Sequence, residues 1–548
     1  MKFGVDFRRL SPNYVPRLYL QEPLFFDVPS ASTGNAFETL VSASAGSTLL
    51  FHNLSLYAQD TWRVARRLTV TYGLRWDVDF APSSVGGPNI PGVTGYDPNN
   101  NFSNLALAPA GTPPFHTPYA NFAPRLGVAY QLSQDPGWQT VARGGFGVFY
   151  DLASSEAGTL LVTAGYPFTG LNDEFGTFPL SPAAAAPPSI TPGSLSSCCD
   201  ALVGFDPHLK LPYTLQWNVA IEQGLGGQQS ITASYIGASG RRLLQTAFVY
   251  GPNANIYAAN LVGNTASSNY NALQLQFQRR LAHGLQALAS YTWAHSIDDG
   301  SAGSVYLNSN AFVPGLAANA NRGPSDFDIR NAFSAGVTYD IPAPKINTLA
   351  NVVLHGWSTE NFVLARSAPP VDVTDGQFEE LDNGFLADTR PDLVPGQPLY
   401  LYGAQCASTF QALGELGAGH LCPGGKGFNP AAFASPPTDP KTGLPTRQGT
   451  TPRNYLRGFG AAQWDFAVHR EFPISESFKL QFRAEMFNVL NHPNFGQPDG
   501  QFGFGGFGIS NQMLGRSLGQ ANVGGGALSS LYQIGGPRSI QLALKLMF

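Results

Sequence analysis

Side chains able to do chemistry are sparse in this 548-residue sequence: four cysteines, nine histidines and a few acidic clusters. Cys406 and Cys422 share one long segment, and Cys198 and Cys199 are adjacent in another. Placed outside the cell, the first pair is expected to oxidise and staple its segment. Adjacent cysteines close on each other only with backbone strain, so the state of Cys198 and Cys199 stays open. Zinc held by all four lacks the C-x2-C geometry of such sites and is set aside. The histidines form no H-E-x-x-H and no other close metal spacing. No G-x-S-x-G elbow occurs, and no Ser, His and Asp set can be placed together from sequence. Gly503 to Gly508 spells G-x-G-x-x-G, but without a strand before it and a helix after it the run reads as a flexible aromatic-glycine loop. Asp298-Asp299-Gly300 and the stretch Asp372 to Asp382 bring carboxylates together, yet neither has the spacing of a calcium loop, and both read as solvated. No enzyme, cofactor or metal centre is expected.

The elements that would position any site are strands. Between residues 67 and 80, Leu68, Val70, Tyr72, Leu74, Trp76, Val78 and Phe80 fall on one face. Arg67, Thr69, Thr71, Gly73, Arg75, Asp77 and Asp79 fall on the other. This is period two over fourteen residues, against about 5–6 for a typical strand. The pattern returns at 213–222 and 539–548, and more weakly near 2–9, 53–63, 122–132, 138–150, 229–237, 270–281, 285–296, 330–341, 356–366, 461–472 and 477–489. The count is about fourteen strands, most near or above the ~9–11 residues that cross a tilted bilayer path. On the polar phase lie Arg75, Gln216, Glu222, Gln274, Gln276, His469, Arg483 and Lys545, the candidates for a lumen wall.

Connections alternate in length. Short ones fall at 64–66, 133–137, 224–228, 282–284, 473–476 and, more loosely, 341–355; long ones run 10–52, 81–121, 151–212, 238–269, 297–329, 367–460 and 490–537. Outer-membrane barrels have short periplasmic turns and long extracellular loops, and a soluble sandwich has no reason to segregate them. Charges on the apolar phase are limited to Asp60, Arg279 and Arg470, each near a short turn, and six tryptophans sit near strand ends where an aromatic girdle belongs. Composition agrees. Charged residues are 12%, about half the soluble norm. A net charge of -5 leaves no basic surplus for nucleic acid, and no run of eighteen apolar residues offers a membrane helix. The expected fold is an all-β, antiparallel transmembrane barrel over 1–548 as a single domain, in contact with outer-membrane lipid.

Several stretches resemble the barrel of TonB-dependent outer-membrane receptors, specifically the Oar-like branch. They include Leu56-Tyr57-Ala58-Gln59-Asp60-Thr61-Trp62, Asn121-Phe122-Ala123-Pro124-Arg125-Leu126-Gly127, Phe428-Asn429-Pro430-Ala431-Ala432-Phe433 and Phe482 to Gly496. The resemblance implies a receptor with a plug, a TonB box and a barrel of roughly 22 strands. No plug or TonB box can be assigned here, so the sequence is expected to be the C-terminal barrel portion of such a receptor, or a reduced protein closing a smaller barrel. TonB would act only through the missing plug region. The implied function is passage of a small-molecule, glycan or peptide substrate across the outer membrane of a Gram-negative-type bacterium. The alternative is a passive porin-like channel or a surface-binding scaffold. Ile540, Leu542, Leu544, Leu546 and the terminal Phe548 resemble the signal by which outer-membrane barrels engage their assembly machinery.

Overall fold

The computed structural model describes residues 1–152, 165–191, 201–301, 321–342, 355–381, 384–474, 478–514 and 535–547. Fourteen long strands form where the alternation lies: β1 (Lys2–Leu10), β2 (Ser47–Ala65), β3 (Leu68–Asp79), β4 (Asn121–Ser133), β5 (Thr140–Tyr150), β6 (Tyr213–Gly224) and β7 (Gln229–Asn253), then β8 (Ile256–Ala282), β9 (Leu285–Asp298), β10 (Asn331–Asp340), β11 (Trp357–Arg366), β12 (Ala461–Pro473), β13 (Lys479–Phe487) and β14 (Ser539–Met547). Each pairs antiparallel with its neighbour in sequence, from β1–β2 through β13–β14. Shorter strands join the same sheet and bring it to nineteen. Among the described residues, no ladder joins β1 to β14.

Register carries one face across the whole sheet, because residues directly opposite in neighbouring strands point to the same side. Arg75 opposes Ala123, Gly147 opposes Gln216, Thr232 opposes Gln276, and His469 opposes Arg483. That face is polar. The other presents Phe3, Leu74, Val219, Leu275 and Leu544 at 82%, 49%, 57%, 38% and 71% exposure. A continuous exposed apolar belt of this kind marks a surface that meets something other than water. Trp62 and Trp293 are exposed near the ends of their strands. The charges on this face lie toward the strand ends: Arg9 and Arg241 at the long connections, opposite His52 and Tyr213, and Asp60, Arg279 and Arg470 toward the short turns. Asp60 lies on β2, Arg279 reaches the Ala282 carbonyl oxygen, and the Arg470 guanidinium sits 4.2 Å from the Phe472 ring centroid.

The short connections are tight. His283 and Gly284, between β8 and β9, both have positive φ (52° and 76°), the backbone a two-residue hairpin of this twist requires. The buried apolar core lies at the long-connection end, where loop residues pack on the outer parts of the strands. One cluster joins Leu49 and Phe51 of β2 to Phe115, Phe205 and Val262, and a second joins Phe102 and Leu105 to Val249, Leu261 and Phe385. A third gathers Val373, Phe428, Phe433, Leu456 and Phe507.

Two expectations about connections are corrected. Residues 238–269 are largely strand: β7 and β8 continue as one hairpin out to Asn253 opposite Ile256. Alternation fails there because both sides are buried, with 244–249 and 258–262 reading as continuous buried runs. The segment 10–52 holds strands Tyr19–Leu24 and Asn35–Ser44, with β2 starting at Ser47.

Candidate functional site

The polar face and the layer of packed loops at its long-connection end form the candidate site. On the face, Arg75 donates from Nε to Asp77 at 2.8 Å and through its guanidinium to Ser55 Oγ at 2.7 Å. Glu222 pairs with Arg143 at 3.0 Å. Arg483 bridges Glu360 and Glu485, both at 2.6 Å, and the His469 ring lies 3.4 Å from Glu360. His469 and Arg483 thus meet on one carboxylate. Gln216 lies on β6 and Gln274 and Gln276 on β8, while Lys545 of β14 opposes Gln481. Ile540, Leu542, Leu544 and Leu546 all project from the opposite face of β14. Phe548, Cys198 and Cys199 lie outside the described residues.

Above the strands, the segment between β11 and β12 folds back on itself through short ladders. Tyr400–Tyr402 pairs with Lys426–Phe428, and Pro370–Val371 with Leu456–Arg457. Cys406 and Cys422 are disulfide-bonded and buried beside Leu401, Phe410 and Ile509. Lys426 Nζ donates to the carbonyl oxygens of Arg457 and Gly458 at 3.0 and 2.6 Å, between the rings of Tyr400 and Phe459. Burial holds this ammonium below the ordinary lysine value.

The charges sequence reasoning missed are here. Arg453 is 1% exposed. Its guanidinium donates to Asp298 Oδ1 at 2.6 Å, Ser301 Oγ at 2.6 Å and Asp326 Oδ1 at 2.9 Å. Asn454 donates to the same Asp326 oxygen and, through its backbone N–H, to Asp372. Asp328, 1% exposed, accepts from Arg457 at 2.7 Å and the Ser296 N–H at 2.8 Å, and forms an ion pair with Arg330 at 3.2 Å. Burial alone would raise the Asp328 carboxyl, but the Ser296 N–H, Arg457 and His295 outweigh it and hold it below the usual carboxylate value. Asp372 goes the other way: burial raises it despite Arg390. The expectation of solvated acidic loops at Asp298-Asp299-Gly300 and Asp372 is therefore wrong. Asp298 neutralises a buried arginine, and Asp299 accepts from Ser267 and Arg322. The glycine run is also packed rather than free: Phe507 is buried against Phe428, Phe433 and Phe502, and the Gly506 N–H donates to Glu415.

A signal for this cluster was present. Asp326-x-Asp328-x-Arg330 and Arg453-x-x-x-Arg457 concentrate opposite charges in a chain that is only 12% charged. Among the described residues, no group of three or more His, Cys, Asp or Glu side chains could hold a metal ion.

A two-faced antiparallel sheet with a buried loop layer at one end is the architecture of an outer-membrane barrel. The chain belongs to the outer membrane beta barrel domain family, which it matches over residues 1–541. It is thus an all-β transmembrane barrel protein of the outer membrane. No curated protein matches it. Among solved structures it is similar to the outer membrane transporter YddB from Escherichia coli, with a TM-score of 0.48, 10% identity, and coverage of 100% of this chain and 54% of that one. It is also similar to the ferripyoverdine receptor of the outer membrane of Pseudomonas aeruginosa, with a TM-score of 0.42, 9% identity, and coverage of 100% and 49%. The chain spans about half the length of these structures.

Proposed function

We propose that the chain is the barrel portion of a TonB-dependent receptor of the Oar-like type, passing a solute across the outer membrane along its polar face. The observation that carries this reading is the face bearing most of the polar and charged strand side chains, carried by register from β1 to β14 beneath the loop layer and back to back with the apolar belt. The apolar belt meets lipid, the polar face lines the lumen, and the long connections form the outer, substrate-facing surface. The short turns face the periplasm. TonB acts through a plug, as the resemblance implies, and the β14 strand engages the assembly machinery.

Cells producing the protein should deplete their substrate from a defined solute mixture only while the proton-motive force is intact. Depletion that persists under an uncoupler would mean a passive pore instead.

A further inference from the structure

Five glycines lie on the polar face of β1, β3, β4 and β5: Gly4, Gly73, Gly127, Gly145 and Gly147. Most are already covered. A Cβ on Gly4 would meet the Tyr57 ring at 2.6 Å, one on Gly147 the Phe149 ring at 2.8 Å, and one on Gly145 Asn218 Oδ1 at 2.5 Å. Gly127 differs, since its nearest neighbour would be Thr71 at 3.9 Å, an ordinary contact that leaves room for a side chain. That space is a cleft of about 560 Å3, floored by Gly73 and Gly127 and walled by Tyr57 and Gln59.

Three cations rim it: Lys2, Arg75 and Arg125. Arg75 is neutralised by Asp77 at 2.8 Å and Asp6 at 3.6 Å. Neighbouring Arg8 and Arg143 likewise have Asp6 and Glu222. Lys2 and Arg125 have no carboxylate partner among the described residues. The Arg125 guanidinium lies 4.4 Å from the Phe149 ring centroid. A concave recess with two uncompensated cations, one of them a guanidinium fork, and hydroxyl and amide groups at its side is complementary to a small oxyanion.

We propose that this cleft binds a phosphate- or carboxylate-bearing solute, which makes the passage selective for anions. The proposal rests on the reading of the polar face as a lumen wall and names the class of solute that wall favours. Arg125 supplies the bidentate contact, Lys2 the second charge, and Gly127 the room.

The test is isothermal titration of the full chain, refolded in bilayer discs at low ionic strength, with inorganic phosphate. Saturable binding is expected, weakened at least tenfold in the Lys2→Gln/Arg125→Gln double variant. It should weaken similarly in Gly127→Gln, which fills the cleft but keeps both charges, and stay unchanged in Arg280→Gln near a short turn. Absence of saturable binding, or equal affinity in wild type and both cleft variants, would overturn the proposal. Loss through the charge variant alone would mean diffuse attraction to the wall and would overturn the cleft as a site. Binding is read without transport, so energy-dependent uptake of a neutral solute by a protein that ignores phosphate would defeat this inference and leave the proposed function standing.

Discussion

Arg453 shows how much of the loop layer depends on single side chains. Its guanidinium joins the end of β9, the segment before β10 and the segment before β12, and its partner Asp298 is 155 positions away in sequence. Removing one member of a buried pair leaves the other charged and unsolvated, at a cost of about 3–5 kcal/mol. Arg453→Met should therefore loosen the layer by roughly that amount, read as faster amide exchange at 298–301 and 323–328. Asp298→Asn in the same chain should recover part of the loss. Asp328 provides a pH test. Its folded carboxyl sits below the unfolded value of about 3.9, so its contribution is complete above that value and is lost as pH falls through the folded one. Protection of the segment around Asp328 should be flat from neutral pH to about 5 and fall only below about 4. Asp328→Asn should be weaker at neutral pH and lack that acid step. None of these pairings was legible in the sequence. Periodicity reports which face a residue takes, not which distant residue it meets.

At the scale of the element, the strands were legible wherever one side met the apolar belt, because that side must be apolar and the other need not be. β3 and β6 show this most cleanly. The outer half of the β7–β8 hairpin was not legible, since Leu244, Ala247, Val249, Ala258 and Leu261 are all buried and no polar side remains to mark the period. β14 is the opposite case: its apolar row Ile540, Leu542, Leu544 and Leu546 is fully presented, and Met547 lies across from Lys479 on the polar side. If this strand carries the assembly signal, deleting Phe548 should reduce outer-membrane insertion several-fold, while Met547→Ala should leave it near wild type. Fractionation of cells producing each variant behind a signal peptide measures this. Equal insertion would deny the terminal aromatic that role.

For the molecule as a whole, the sheet and the loop layer divide the work. The sheet has an apolar belt and a polar face; the buried clusters that hold the protein's shape lie at its long-connection end, where loop residues pack on the outer parts of β2, β7 and β8. The proposed orientation, with the loop layer outside, is tested on cells. A cysteine placed at exposed Thr442 should react with an impermeant reagent on intact cells, and one at Gly226 should not. The central claim is that one side of every long strand meets lipid and the other meets water. Its most direct test is a nitroxide scan along β6, from Thr214 to Ile221, with the protein in lipid bilayers. Labels at Thr214, Gln216, Asn218 and Ala220 should collide with a polar nickel reagent, and labels at Leu215, Trp217, Val219 and Ile221 with oxygen dissolved in lipid, alternating residue by residue. Equal access of the nickel reagent to both sets would contradict the account.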